Sequence, residues 1–278
     1  MKKLEDYLYY EEKDPDIKIY LGNCLSIMPL LPKVDLVVTD PPYGINLETA
    51  YRLRGRGRLA QCKDYAEVIG DDKDFDPTPF LGYPNVVMFG ANYYADKLPK
   101  SSGWLVWDKR ENQAQNDQAD GELAWTNCVK GVRICHHMWN GFLRDSERGE
   151  SYHPTQKPTH LIKWIFSLRW IPNTTVLDPF LGSGTTLVAC KELNRNGIGI
   201  EINEKYCEIA KKRLQNTCKS LFKESTNAQA KNFFFKSSLK AREIKNQIKC
   251  IHPRSEQDSD VQGRKYCRKC DAWLGNNL

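Results

Sequence analysis

The sequence predicts an α/β fold built on a mixed, mostly parallel sheet, followed by a small C-terminal module. Three observations predict it. Short β-branched runs alternate with longer stretches of helical period. Two of those runs end in an acidic residue followed at once by proline and, farther on, glycine. The chain has 278 residues, 40% hydrophobic and 27% charged, which suits one large soluble domain plus something small.

Strands are expected over residues 36–39, 86–89, 104–107, 175–177 and 197–200, where Val, Ile, Leu, Phe and Trp cluster. A helix is expected over 159–171, THLIKWIFSLRWI, with apolar residues at helical spacing and Pro158 just before its start. A second amphipathic helix is expected over 203–214, NEKYCEIAKKRL, with Asn203 placed to cap it. Between residues 108 and 152 the period dissolves into amides, aromatics and arginines, and so long an irregular stretch is usually functional or disordered. Trp125 and Trp139 within it read equally as core anchors or as base-stacking residues, and His136 and His137, with no acid or cysteine spaced for a metal site, as insert or packing residues. From 217 to 249 the chain turns Lys-rich and Asn/Gln-rich, with an isolated FFF at 233–235, and reads as a basic linker or a mobile helix. The expected organisation is a domain over 1–216 carrying an insert at 108–152, a linker over 217–249, and a module over 250–278.

The formal net charge is +6, and its placement is uneven. Residues 211–278 hold 16 Lys plus Arg against 6 Asp plus Glu, so residues 1–210 carry a net charge of −4. A basic tail on a mildly acidic body suits attraction to a polyanion such as nucleic acid, or is a solvated charged face. No apolar run approaches the roughly 20 residues of a membrane helix, so no membrane partner is expected. The opening MKKLEDYLYYEEKD turns acidic where a secretory signal turns apolar, and the expected location is the cytoplasm. In that reducing compartment, close pairs among the ten scattered cysteines point to metal ligands before disulfides.

The chemistry concentrates at two strand tips. VDLVVTDPPYG (34–44) places an acid, two prolines and a tyrosine at the end of a buried run. TVLDPFLGSGTTLVACKEL (175–193) runs from a strand ending in Asp178 through Gly182, Ser183 and Gly184 into a helix opened by Thr185 and Thr186. In open α/β sheets ligands bind at such carboxyl ends, and glycines let backbone approach them. The third glycine of a dinucleotide fingerprint is missing, and no lysine follows the turn as a phosphate-binding loop requires. The next strand ends in Glu201, an acid placed to accept ribose hydroxyls. The pocket therefore suits a nucleoside without a pyrophosphate.

DPPYG at 40–44, DPFLGSGTT at 178–186 and HPTQKP at 153–158 resemble the signature motifs of the S-adenosylmethionine-dependent amino-group DNA methyltransferases. The order, DPPY before the glycine-rich turn with an insert between, is that of the β class. The resemblance covers roughly residues 17–216 and implies a Rossmann-like methyltransferase fold with permuted motif order. It implies that Asp40 and the Pro41 carbonyl accept the two hydrogens of an exocyclic amine, that Tyr43 stacks on an extruded base, and that Pro42 stiffens the turn. By the same likeness Asp178, Phe180, Gly182, Ser183, Gly184, Thr185 and Thr186 surround the methionine half of S-adenosylmethionine, and Glu201 holds its ribose with Asn203 beside it. Lys157 then meets the methionine carboxylate. Asn23, where many relatives carry Asp, lies near the adenine. No proline is followed by cysteine, so the nucleophile of a cytosine-C5 enzyme is missing. Asp at position 40 favours adenine N6 over cytosine N4, with DNA as the partner. An RNA methyltransferase and a catalytically silent nucleic-acid-binding module are the alternatives, and the resemblance leaves room for a homodimer and a restriction endonuclease partner.

Two features complete the reading. YRLRGRGR (51–58) puts Arg52, Arg54, Arg56 and Arg58 among glycines directly after DPPYG, as a loop that clasps DNA phosphates or as an idle surface loop. Outside the resemblance, Cys250, His252, Cys267 and Cys270 form a CxH pair and a CxxC pair, four N/S ligands for a structural zinc. The alternative is a reduced, frayed tail. About 29 residues hold too little core to fold alone, so metal would supply the folding energy.

Overall fold

The computed structural model describes residues 2–45, 68–110, 119–140, 143–147, 152–153, 155–218, 257–259 and 265–267. The chain forms two compact units, Met1–Lys223 and Glu224–Leu278.

In chain order the first unit contains β1 (Leu8–Glu12), β2 (Ile17–Leu21), α1 (Cys24–Ile27), β3 (Leu36–Thr39), β4 (Asn85–Phe89), β5 (Gly103–Asp108), β6 (Gly121–Thr126) and β7 (Val132–His136). The short pair β8 (Trp139–Asn140) and β9 (Leu143–Arg144) follows, then α2 (Thr159–Ser167), β10 (Val176–Asp178), α3 (Thr185–Glu192), β11 (Gly197–Glu201) and α4 (Glu204–Asn216). Among the described residues nine strands form one sheet in the order β1-β2-β11-β10-β3-β4-β6-β5-β7. The run from β2 to β4 is parallel, β6 lies antiparallel between β4 and β5, and β1 and β7 close the edges. The mixed, mostly parallel α/β architecture expected from the sequence is the one observed.

Both faces of the central strands are covered, which is why β3, LVVT, is buried at every position. One layer packs Leu36, Val38, Val87 and Leu105 against Leu161 and Ile165 of α2, Leu187 of α3 and Leu214 of α4. The other packs Val37, Val86, Met88 and Leu177 against Ile27, Phe75, Phe80 and Tyr94. From β3 the chain proceeds to its neighbour β4 on one side, and from β10 to β11 on the other. The β3/β10 boundary is therefore the switch point at which open α/β sheets bind ligands.

Three expectations are corrected. The stretch 108–152 is not an irregular insert over its described part: β6 lies inside the main sheet and β7 forms its edge. No period was visible because Ala124, Trp125 and Thr126 are all buried, one sheet face after the other, while edge strand β7 exposes Val132, Arg133 and Ile134. The helix expected to reach 171 ends at Ser167, where Leu168 turns to extended backbone (φ −69°, ψ 133°). The strand at the second tip starts one residue later and takes in Asp178. The linker 217–249 lies outside the described residues except for 217 and 218. In the second unit β12 (Gln257–Ser259) and β13 (Lys265–Cys267) pair antiparallel.

Candidate functional site

Side by side at the switch point, β3 and β10 deliver Asp40 and Asp178. The Thr39 hydroxyl, the last of β3, donates to Asp178 Oδ1 at 2.7 Å, which ties the two tips together. Around them opens a cavity of ≈ 580 Å³, within the range of small-molecule sites. Asp40, Pro41, Pro42, Tyr43, Asn23, Lys157, Asp178, Phe180, Gly182, Ser183, Thr185, Thr186, Glu201 and Asn203 all line it. Gly184 does not. It opens α3 at φ +86°, and a Cβ there would stand 2.7 Å from Ala210 Cβ, so its role is close packing against α4.

Glu201 sits at the end of β11. Its Oε2 accepts the Gly182 N–H at 2.7 Å and its Oε1 the Asn203 N–H at 2.8 Å. Glu201 also lines the cavity. Burial raises its proton affinity, partly offset by those N–H groups. Asn203 caps α4 by accepting from Lys205 N at 3.0 Å, and Asn23 caps α1 by accepting from Leu25 N at 2.9 Å. Asp178 is driven up to about 6 by burial, against hydrogen bonds from Thr186 and Thr39.

The DPPY tip is held from both ends. Asp71 Oδ1 accepts the N–H groups of Tyr43, Gly44 and Ile45 at 3.0, 3.0 and 3.3 Å and so fixes the turn after the prolines. The Tyr43 hydroxyl donates to Asp40 Oδ1, and its ring stacks on Tyr93 at 4.9 Å and 12°. Gly90, at φ +69°, makes room for that ring: a Cβ there would fall 1.8 Å from Tyr43 Cε1. Lys157 Nζ donates to Asp40 Oδ2 at 2.5 Å and lies 2.9 Å from Glu122 Oε2. Lys109 Nζ meets the other Glu122 oxygen at 2.5 Å. Burial opposes the Lys157 charge, but the two carboxylates outweigh it and hold the ammonium above the ordinary lysine value. Asp40 is raised, by burial first, with Lys157 opposing and Glu122 adding.

The lysine expected beside a methionine carboxylate thus spends its charge on Asp40 and Glu122. Behind the glycine turn, Arg213 of α4 donates to Ser183 O at 2.8 Å and Thr185 Oγ1 at 3.1 Å and pairs with Glu147 at 3.0 Å. Glu122, Lys109, Asp71, Tyr93, Gly90, Arg213 and Glu147 carry no local sequence signal, because each reaches the site by chain folding. Of the two tryptophans left open, Trp125 is core, and Trp139 packs partly buried against the core. His136 is exposed and pairs with Asp108 at 2.8 Å, whereas His137 is buried and stacks on His160 at 4.3 Å as a packing residue does. Arg52, Arg54, Arg56 and Arg58 lie outside the described residues, as do Cys250, His252 and Cys270. Cys267 is placed on β13 by its backbone alone. Among the described residues no group of three His, Cys, Asp or Glu is arranged to hold a metal, and no helix is long and apolar enough to cross a membrane.

Residues 92–212 match the N6/N4 methyltransferase family, described as DNA methylase. The type II methyltransferase M.HpaI of Haemophilus parainfluenzae is 52% identical over 235 residues, covering 72% of this chain and 75% of the relative. M.ScaI of Streptomyces caespitosus is 27% identical over 271 residues, with 80% and 88% covered. Among solved structures, the M1.HpyAVI–SAM complex is 30% identical at a TM-score of 0.41, covering 71% of this chain and 99% of that one. PvuII DNA methyltransferase, cytosine-N4-specific, is 15% identical at a TM-score of 0.47, covering 78% and 90%. By the extent of its identity with M.HpaI, this chain belongs to the N6/N4 DNA methyltransferase family.

Proposed function

We propose that the protein transfers the methyl group of S-adenosylmethionine to the N6 amine of adenine at a specific site in DNA. The observation that carries this reading is that Asp40 and the 182–184 turn face one cavity, joined through the Thr39 to Asp178 hydrogen bond. The chain's own groups fit the cofactor. Glu201 brings a carboxylate to the cavity as an acceptor for ribose hydroxyls, and Phe180 gives the cavity an aromatic wall. When bound, the cofactor supplies an electrophilic methyl group on a sulfonium.

Adenine's exocyclic nitrogen is a poor nucleophile because its lone pair is delocalised into the ring. Asp40 and the Pro41 carbonyl are the acceptors that draw its two hydrogens out of the ring plane and aim the lone pair. The Tyr43 hydroxyl occupies Asp40 Oδ1, so an incoming amine displaces it and frees the ring to stack on the base. Extrusion of the base from the duplex costs a few kcal/mol, which stacking and these hydrogen bonds offset. Arg52, Arg54, Arg56 and Arg58 are assigned to phosphates, and Cys250, His252, Cys267 and Cys270 to a structural zinc. A homodimer and a restriction endonuclease are the proposed protein partners.

The test is to incubate the full chain with labelled S-adenosylmethionine and duplex DNA or structured RNA, digest to nucleosides, and identify the labelled product by mass spectrometry. N6-methyldeoxyadenosine is expected. N4-methyldeoxycytidine, label confined to RNA, or no label with any substrate would each overturn the adenine assignment.

A further inference from the structure

Four charged side chains form a row that starts at the proposed reaction point: Asp40, Lys157, Glu122 and Lys109. The chemistry above uses only the first. Lys157 is 6% exposed, and its ammonium stands between two carboxylates contributed by different strands. Lys109, the residue after β5, closes the row with one fifth of its side chain exposed. A buried ammonium shared by two carboxylates is divided according to the charge on each. Whatever strengthens Glu122's hold on Lys157 weakens the hold on Asp40.

We propose that Glu122, backed by Lys109, is a positioning residue that sets how tightly Lys157 is held on Asp40 and therefore how well Asp40 accepts the hydrogens of the substrate amine. This rests on the reading of Asp40 as the amine acceptor. In the transfer the S–CH3 bond breaks as the N–CH3 bond forms, the sulfonium becomes a neutral thioether, and the nitrogen is left with one proton too many. Asp40 is the group in place to receive that proton. A carboxylate fully paired with an ammonium is a poor acceptor, and Glu122 moderates the pairing by taking part of the ammonium for itself.

Of the other groups facing this pair, three are uncharged at neutral pH and Asp178 is the same in both variants tested below. Tyr43 meets it from its own loop, and burial and Asp40 both keep that phenol protonated. Tyr94, after β4, is likewise held protonated by burial. Asp178 faces it from β10, titrating near 6 because it is buried. His153, near Lys157, is lowered to about 4 by burial and by that lysine, so it is uncharged at neutral pH.

Two variants of the full chain separate the proposal from a purely structural role, because they shift the same property in opposite directions. E122Q removes a negative charge and releases Lys157 to Asp40. K109M removes a positive charge behind Glu122 and draws Lys157 away from Asp40. Asp40 is followed in the ligand-free protein by the 13C resonance of its carboxyl, assigned by its loss in D40N. The pH dependence of kcat is measured in parallel. The titration midpoint and the acid limb of kcat are expected to move to lower pH in E122Q and to higher pH in K109M, each by roughly half a unit or more. Midpoints that coincide with wild type in both variants, or that move in the same direction, overturn the proposal. Opposite movements in a protein that methylates nothing would keep the charge coupling and refute the assigned reaction.

Discussion

Asp40 binds nothing that holds the glycine turn together: its partners are Tyr43 and Lys157. Asp40→Ala is therefore expected to reduce methyl transfer by about a hundred- to a thousandfold, the scale of losing a preorganised group at the reacting centre, while binding of S-adenosylmethionine changes by less than about threefold. Calorimetry beside a transfer assay checks this, and turnover near wild type would remove the carboxylate from its role. Asp178 behaves differently because its charge is costly. Its folded-state value of about 6 lies above the ordinary 3.8, so the stability it contributes is full below about 4, falls as the pH rises, and is lost above about 6. Two units correspond to about 3 kcal/mol at most. Asp178→Asn keeps an acceptor for Thr39 and sheds the charge, so its unfolding free energy is expected to exceed wild type at pH 8 and to converge with it near pH 4. A gap independent of pH would mean that another group carries the effect. Residues of this kind were legible in the sequence because they share a contiguous motif: an acid, then proline, at a strand end. Gly90 and Asp71 were not, because their partner Tyr43 is 47 and 28 positions away and nothing local to them announces the contact.

The glycine turn is an element with a support of its own. Backbone at Gly182 and Gly184 has positive φ, and such a turn keeps its shape only when neighbours hold it. Arg213 does so from α4, bonding Ser183 and Thr185, while its partner Glu147 also accepts from the Thr159 N–H and hydroxyl at 2.9 Å. One ion pair therefore joins the turn, the start of α2 and the end of α4. Arg213→Met is expected to lower stability by about 1–3 kcal/mol, because a partly buried carboxylate loses its charged partner while keeping Thr159, and to weaken cofactor binding about tenfold by loosening the turn. Adding Glu147→Gln to that variant is expected to restore part of the stability, a coupling that a double-mutant cycle in denaturant measures. Strict additivity would show that the two side chains do not act as a unit. The sequence announced α4 well, since Asn203 is a good cap and the apolar spacing is regular, yet Arg213 on the same helix looked like one more surface cation. Strands β6 and β7 were hidden for a related reason: one is buried on both faces and the other is an edge, so neither shows the alternation by which half-buried strands are found.

At the scale of the molecule the charge is divided between two units. Residues 224–278 hold 11 Lys plus Arg against 6 Asp plus Glu, which leaves the first unit with a net charge of +1. The first unit contains both described core clusters and the whole candidate site, while the larger share of the positive charge lies in the second unit. A protein ending at Lys223 is accordingly expected to retain kcat at saturating DNA while binding duplex more weakly at low salt. Its plot of log affinity against log salt should be shallower by about 0.9 for each phosphate that the truncated protein no longer neutralises. If the second unit needs zinc to fold, the full chain contains one equivalent of metal. Cys267→Ser together with Cys270→Ser would then reproduce both the weaker binding and the shallower slope without shortening the chain. Metal analysis and binding isotherms at several salt concentrations decide the matter. An unchanged slope after truncation would place the phosphate-binding groups in the first unit, where the arginines at 52, 54, 56 and 58 become the groups to remove next.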